Sequence, residues 1–287
     1  MQAIANGLVV GAPIAILALA FQLVYLPTKV FHVAMAGVYT IAPLVTWQGF
    51  QHELPWYAAI GAGIVAGVVS SIVIDVVNHA PLARRRVGFV SHLISSLGIY
   101  IIVLQLVVVI WGNEPKALWH LHGVVRFGVI LSMPQVAALV VCAATLAIFF
   151  LWLQYTNVGL TFRALADNPR EVALRAYDVN LLRVIAFGIS GLLVSIAATL
   201  DAQSYGFQPY SGLDAFVVAV ISAIIGGRTS LLGPVIAGLL VGLLRAEIVW
   251  TISAEWQDAI TFVLLMAFLV LRPQGIVARQ GRIEAAT

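Results

Sequence analysis

NVGLTFRALADNPREVALRAYDVNLLR, residues Asn157–Arg183, is a polar island in a chain that is otherwise almost wholly apolar. It holds four of the 15 Lys/Arg (Arg163, Arg170, Arg175, Arg183) and three of the 12 Asp/Glu (Asp167, Glu171, Asp178). Asn168-Pro169-Arg170-Glu171 reads as a helix start. Asn168 suits an N-cap, Pro169 the first helical position, and Glu171 can reach back as a capping-box carboxylate. A short helix from Pro169 to about Tyr177 puts Val172, Ala173 and Ala176 on one side and Arg170, Glu171, Arg175 and Asp178 mostly on the others. Such a helix is too short to span a bilayer, so it lies on lipid headgroups or docks on another surface there.

Outward from the island the chain is greasy. Of its 287 residues 62% are hydrophobic and 9% charged, with a mean hydropathy of +1.03; soluble domains carry about 25% charged residues. This is the composition of a polytopic membrane protein. The net charge of +3 gathers in loops, where it bears on topology and not on nucleic acid. The single cysteine, Cys142, allows no intrachain disulfide and no cysteine metal cluster. The opening MQAIANG has neither a basic n-region nor a small-residue cleavage site, so the first apolar run is expected to be a retained span.

A crossing helix needs about 20 apolar residues. The expected spans are Gly7–Leu26, Val30–Phe50, Leu54–Val77, Val87–Trp111, Met133–Leu153, Val184–Leu200, the short Asp214–Ile225, Val235–Trp250 and Asp258–Leu271. That is a bundle of about eight or nine membrane segments, all-α, with residues 1–287 forming one transmembrane domain and the loop at about 154–183 on its surface. Val30–Phe50 carries His32, Met35 and Gly37 and is less greasy than a lipid anchor requires. Gly7/Gly11, Gly63/Gly67 and Gly238/Gly242 give small-xxx-small faces suited to close helix packing, without naming partners.

Ten of the 15 Lys/Arg lie in three places: Arg84–Arg86, the island, and Arg272, Arg279 and Arg282. The first two are separated by two spans and share a side, which the positive-inside rule makes the cytoplasm. The tail joins them if four crossings follow the island, so Asp214–Ile225 is expected to cross. Counting backwards places the N-terminus outside unless Val30–Phe50 is re-entrant.

Catalytic signatures are missing. Gly226–Pro234 is glycine-rich but lacks the Lys-Ser/Thr pair of a phosphate loop, and neither a His-Glu-x-x-His nor a Gly-x-Ser-x-Gly motif occurs. A glycine cluster in mid-membrane is either a broken helix lining a cavity or a tight turn between close-packed helices. His120-Leu121-His122 has no third ligand near in sequence, so interfacial decoration is expected there and no metal. Asp75, Arg245 and Glu247 sit near expected span ends, where snorkelling accounts for them. His32 lies deeper, as a packing residue or a lining one.

Three segments together resemble the branched-chain amino acid type of ABC transporter permease. Arg163–Ala173 with Asp178-Val179-Asn180 is similar to the loop by which these permeases meet their ATPase. Gly226–Gly238 is similar to the family's second glycine-rich signature, and Arg272-Pro273-Gln274-Gly275-Ile276 to its usual ending. The second segment departs from the family: His32-Val33-Ala34-Met35-Ala36 stands where Asn-Phe-Ala-His-Gly is usual, and Tyr177 replaces a helix-ending glycine.

The resemblance implies a non-enzymatic importer subunit in the bacterial cytoplasmic (inner) membrane, without a cofactor. Its partners would be a homologous permease, cytoplasmic ATP-binding subunits and an extracytoplasmic solute-binding protein. It would move branched-chain or related amino acids by alternating access; the departures leave urea and short amides open, and the architecture alone also allows an ion-coupled secondary transporter. Arg163, Asp167, Asn168, Glu171, Ala173 and Arg175 are the implied ATPase contacts. His32, Met35, Gly226 and Gly227 are the candidates for the translocation path.

Overall fold

The computed structural model describes residues 1–85, 87–118, 123–126, 128–167, 179–227, 230–272 and 275–276. The helices are α1 (Gln2–Thr28), α2 (Met35–Gln51), α3 (Trp56–Ile74), α4 (Ala80–Arg84), α5 (Phe89–Trp111), α6 (Met133–Tyr155), α7 (Asn157–Asp167), α8 (Val179–Tyr205), α9 (Ser211–Gly226), α10 (Leu232–Thr251) and α11 (Gln257–Leu271). A small hairpin, β1 (Val124–Arg126) with β2 (Ile130–Ser132), precedes α6. Among the described residues seven helices are long and apolar enough to cross a membrane. The shorter α2 and α9, of 17 and 16 residues, pack among them, and the whole is the polytopic helical bundle that the apolar runs led us to expect. The protein is a multi-pass membrane protein.

α1 is the central post. It packs against α6, α8, α9 and α10, and 83% of its most apolar window is buried, against 22% for α5 and for α6 and 6% for the last span. The small-residue stripes find partners here. Gly7 and Gly11 on α1 face Leu243, Gly238 and Leu239 on α10, and Gly242 rests on Gly11. On α3, Gly63 meets Ala42 and Thr46 of α2 while Gly67 meets Ser195 of α8. Backbones at such crossings approach too closely for a side chain, which supplies the van der Waals contact that holds helices together where lipid removes the hydrophobic driving force.

The two ends of the bundle can be told apart by contacts. At one end the Gln2 side chain hydrogen-bonds the backbone of Ile130, and Lys116 pairs with Phe207. At the other, Gln22 Nε2 donates to the Gly227 carbonyl at 3.4 Å; Gly226 abuts Gly233, and Gly275 lies over Gly227. The N-terminus therefore shares an end with the hairpin, and the glycine turn shares an end with the chain that follows α11. Of the two readings of the glycine stretch, the backbone contact of Gly226 with Gly233 fits close-packed helices; residues 228 and 229 between them lie outside the described residues.

Two local expectations are corrected. Val30–Phe50 is not one span: residues 30–34 are non-helical and α2 begins at Met35. Asp75 does not snorkel. The third span runs from Trp56 to Arg84, continuing past α3 through a π turn, Asp75–His79, into α4. Asp75 thus lies well inside, with no exposed surface. The helix expected at Pro169–Tyr177 lies outside the described residues, as do His120 and His122. What precedes it is α7, whose buried Phe162 packs on Trp152 of α6.

Candidate functional site

Where α2 and α9 start, the bundle is built of short helices. α9, about 24 Å long at 1.5 Å per residue, begins against α2: Gly212 is pressed on the Ala36 carbonyl, and Thr40 Oγ1 donates to the Pro209 carbonyl at 3.1 Å. Discontinuous helices that meet inside a membrane protein are a recurrent way to line a solute path.

Beside this crossing lies a cavity of about 890 Å³. Pro115, Lys116 and Ala117, the loop Gly206–Gln208, and Trp250 and Gln257 are part of its lining. Val10, Ile14 and Leu17 of α1 and Val218 of α9 form an apolar wall. Polar groups converge from other elements: Tyr39 (α2), Gln135 (α6), Asp201 (α8), Asp214 (α9) and Arg245 (α10). Tyr39 donates its hydroxyl to Asp201 Oδ2 at 2.5 Å. Arg245 pairs with Asp258 at 2.9 Å and donates to Thr261 Oγ1 at 3.3 Å. Lys116 Nζ sits 5.4 Å from the Trp47 ring centre. The volume is in the range of small-molecule sites. One apolar wall facing fixed charges suits a solute with a charged head and an apolar side chain.

A second polar cluster is buried deeper, toward the island end. Arg183, in the first turns of α8, donates from Nε and Nη2 to Asp75 Oδ1 at 2.8 and 2.6 Å. Beside it His32 Nδ1 lies 3.2 Å from His79 Nε2, and His79 Nδ1 lies 3.4 Å from His92 Nδ1. Phe187 closes the group, its ring 4.9 Å from His32 and 5.6 Å from His79. Among the described residues no group of three or more His, Cys, Asp or Glu is arranged to hold a metal.

The candidates named from the sequence fall as follows. His32 and Met35 are buried; neither is on the cavity surface, but Met35 lies one turn below Tyr39 on the same face of α2. Gly226 and Gly227 lie at the island end. Arg163 is on α7, with Nη2 donating to the Gln154 carbonyl at 3.4 Å. Asp167 ends α7. Asn168, Glu171, Ala173 and Arg175 lie outside the described residues. Of the polar cavity lining, sequence reasoning singled out Arg245, and that only as a snorkelling residue; Tyr39, Asp201 and Asp214 come from three helices, and only Asp201 and Asp214, acids at the ends of apolar runs, left a signal. Arg183 was counted as an island charge, yet its guanidinium turns inward.

The family model for the permease component of branched-chain amino acid transport systems matches residues 3–269. The chain belongs to this family. It is an ABC transporter permease of the branched-chain type, a transport family and not an enzyme family. This permease is 25% identical to the high-affinity branched-chain amino acid transport system permease protein LivH of Escherichia coli K12, over 97% of this chain and 96% of that one. It is 28% identical, over the same shares, to the corresponding BraD of Pseudomonas aeruginosa. The galactofuranose transporter permease protein YtfT of E. coli K12 is 24% identical over 93% of this chain and 79% of its own length. In three dimensions the permease resembles PsaBC from Streptococcus pneumoniae, solved in complex with Fab, with a TM-score of 0.56 over 96% of this chain and 94% of that one at 12% identity. That likeness is one of fold.

Proposed function

We propose that this permease is the membrane subunit of an ABC importer for a branched-chain or similar small amino acid in the bacterial cytoplasmic membrane. The observation that carries the proposal is the cavity, with an apolar wall and converging charges, at the end of a family-matched bundle opposite the polar island. A binding protein delivers solute to the cavity mouth at Lys116, Gly206 and Gln257. The solute's ammonium and carboxylate groups meet the charges of Asp214 and Arg245, and its side chain meets Ile14, Leu17 and Val218. The route is closed below Tyr39; Met35, His32, Gly226 and Gly227 belong to its inner half, which opens when the outer half closes. A homologous permease completes the path, and cytoplasmic ATP-binding subunits drive the switch through the island, with Arg163, Asp167, Asn168, Glu171, Ala173 and Arg175 at the contact.

The physical case for that contact is the mixed charge of the segment at 169–177, which the sequence leads us to expect as a helix of about two turns, too short to be stable alone in water. Anionic lipid favours uniformly basic segments, whereas alternating signs suit a protein groove. Replacing Glu171 with Lys is expected to weaken co-purification of the ATPase while leaving membrane insertion intact, and Ala173→Trp should do the same by steric block. Wild-type recovery of the ATPase with both variants, together with normal solute-stimulated ATP hydrolysis, would reduce the island to a surface loop.

A further inference from the structure

We infer that the buried Arg183–Asp75 ion pair is a positioning element that ties movement of the island to the floor of the cavity; the inference rests on the importer reading above. Arg183 ends the island in sequence, but its side chain is only 11% exposed and Asp75's 1%, so neither is available to a docked ATPase. Their position is unusual in three respects that point the same way.

First, the pair is costly. Removing two charges from water is repaid only with good geometry, and a well-packed apolar pair of similar volume is often as stable or more so. Stability alone does not call for it in a chain this apolar. What it supplies is direction: two donors on one carboxylate oxygen hold α8 to α3 in one register, whereas apolar surfaces can slide. A second bond beside it, Ser71 Oγ to the Phe187 carbonyl at 2.7 Å, joins the same two helices one turn away.

Second, Asp75 opens the π turn, Asp75–His79. Such turns are rare and frequently found at functional sites. This one turns Asp75, Asn78 and His79 inward while Val76 and Val77 stay exposed.

Third, the contacts continue to the break between α1 and α2. His79 reaches His32 at 3.2 Å, and the Arg183 guanidinium lies 5.9 Å from the centre of the Phe187 ring that packs on both histidines. The Ala34 backbone donates to Ser96 Oγ at 2.9 Å, which fixes the other edge of the break to α5. Residues 32–34 lead directly into α2, whose Tyr39, one turn on from the buried Met35, lines the cavity. Displacement of the start of α8 therefore pulls on Asp75, the π turn and His79, and through His32 on the start of α2. The break is where this motion is absorbed, because its backbone is not locked in a helix.

The test uses the permease assembled with its ATPase, in a Cys142→Ala background with Ala215→Cys as a reporter on the cavity wall. Maleimide labelling of the reporter is measured with and without ATP and vanadate. The variant is Asp75→Asn combined with Arg183→Gln, which removes both charges and leaves no lone buried ion. Expected is co-purification of the ATPase and basal ATP hydrolysis near those of the parent, with the nucleotide-dependent change in labelling reduced about fivefold or more, the lower end of ordinary coupling between sites. Arg183→Lys, which keeps the charge, should restore most of the response. A double variant that responds like the parent overturns the tie, and so does one that loses ATPase binding and the response together, which would make the pair a folding element. A parent complex that binds no ATPase, or shows no nucleotide response, sinks the importer reading and the tie with it.

Discussion

Gly238→Ala probes the contact on which the bundle is built. A Cβ at residue 238 would lie 2.6 Å from Cα and 2.7 Å from the backbone nitrogen of Ala15. Neither atom can rotate away, so α1 and α10 must part by about 0.8 Å to reach the 3.4 Å at which ordinary contact begins. A gap of that size forfeits roughly a quarter to a half of the dispersion attraction where it opens, and overpacking of this kind costs about 3 kcal/mol at the upper end of its usual range. Against it stands the helix preference for alanine over glycine, about 1 kcal/mol. The net expectation is destabilisation by about 2 kcal/mol. Gly98→Ala is the control, since a Cβ there meets nothing within 4 Å; it should be neutral or stabilise by up to about 1 kcal/mol. Unfolding in mixed micelles by titrated denaturing detergent, followed by tryptophan fluorescence, measures both. Equal stability of Gly238→Ala and Gly98→Ala would refute the close crossing of α1 and α10.

Three further predictions concern topology and the path. In a Cys142→Ala background, Arg85→Cys and Arg175→Cys should label from the cytoplasmic side and Lys116→Cys from the opposite side; labelling of the first two from different faces breaks the arrangement. Tyr39→Phe removes the only donor seen on Asp201 among the described residues, and should lower amino acid uptake about five- to tenfold, the worth of one hydrogen bond of about 1–1.5 kcal/mol, with membrane insertion unchanged. Uptake equal to the parent would show that the Tyr39–Asp201 bond has no part in transport. His32→Asn and Met35→His should change the order of preference across a panel of amino acids and amides, and an unchanged order would leave both as packing residues.

Hydropathy in the sequence settles what a local window can settle. Whether about 20 residues prefer hydrocarbon to water depends on those residues alone, so the long apolar spans were legible one by one. The basic clusters placed Arg84–Arg86 and the island on one side for the same reason, and three short motifs sufficed to suggest the family. What composition could not tell was which helix stands at the centre. α1 and α5 are comparably apolar, yet 83% of one window is buried in protein and 22% of the other. Lipid tails and a protein interior are equally apolar, so hydropathy does not separate a helix that faces the bilayer from one that faces its neighbours. Small residues at 7, 11, 238 and 242 hinted at close packing, but their pairing follows from the crossing of two helices more than 200 residues apart. The same holds for Asp75. By sequence it ends a span; only the π turn, and an arginine 108 residues away, keep it inside. The cavity is likewise a product of tertiary structure, because Tyr39, Asp201, Asp214 and Arg245 are each unremarkable in their own helix and acquire a common purpose only where α2, α8, α9 and α10 converge.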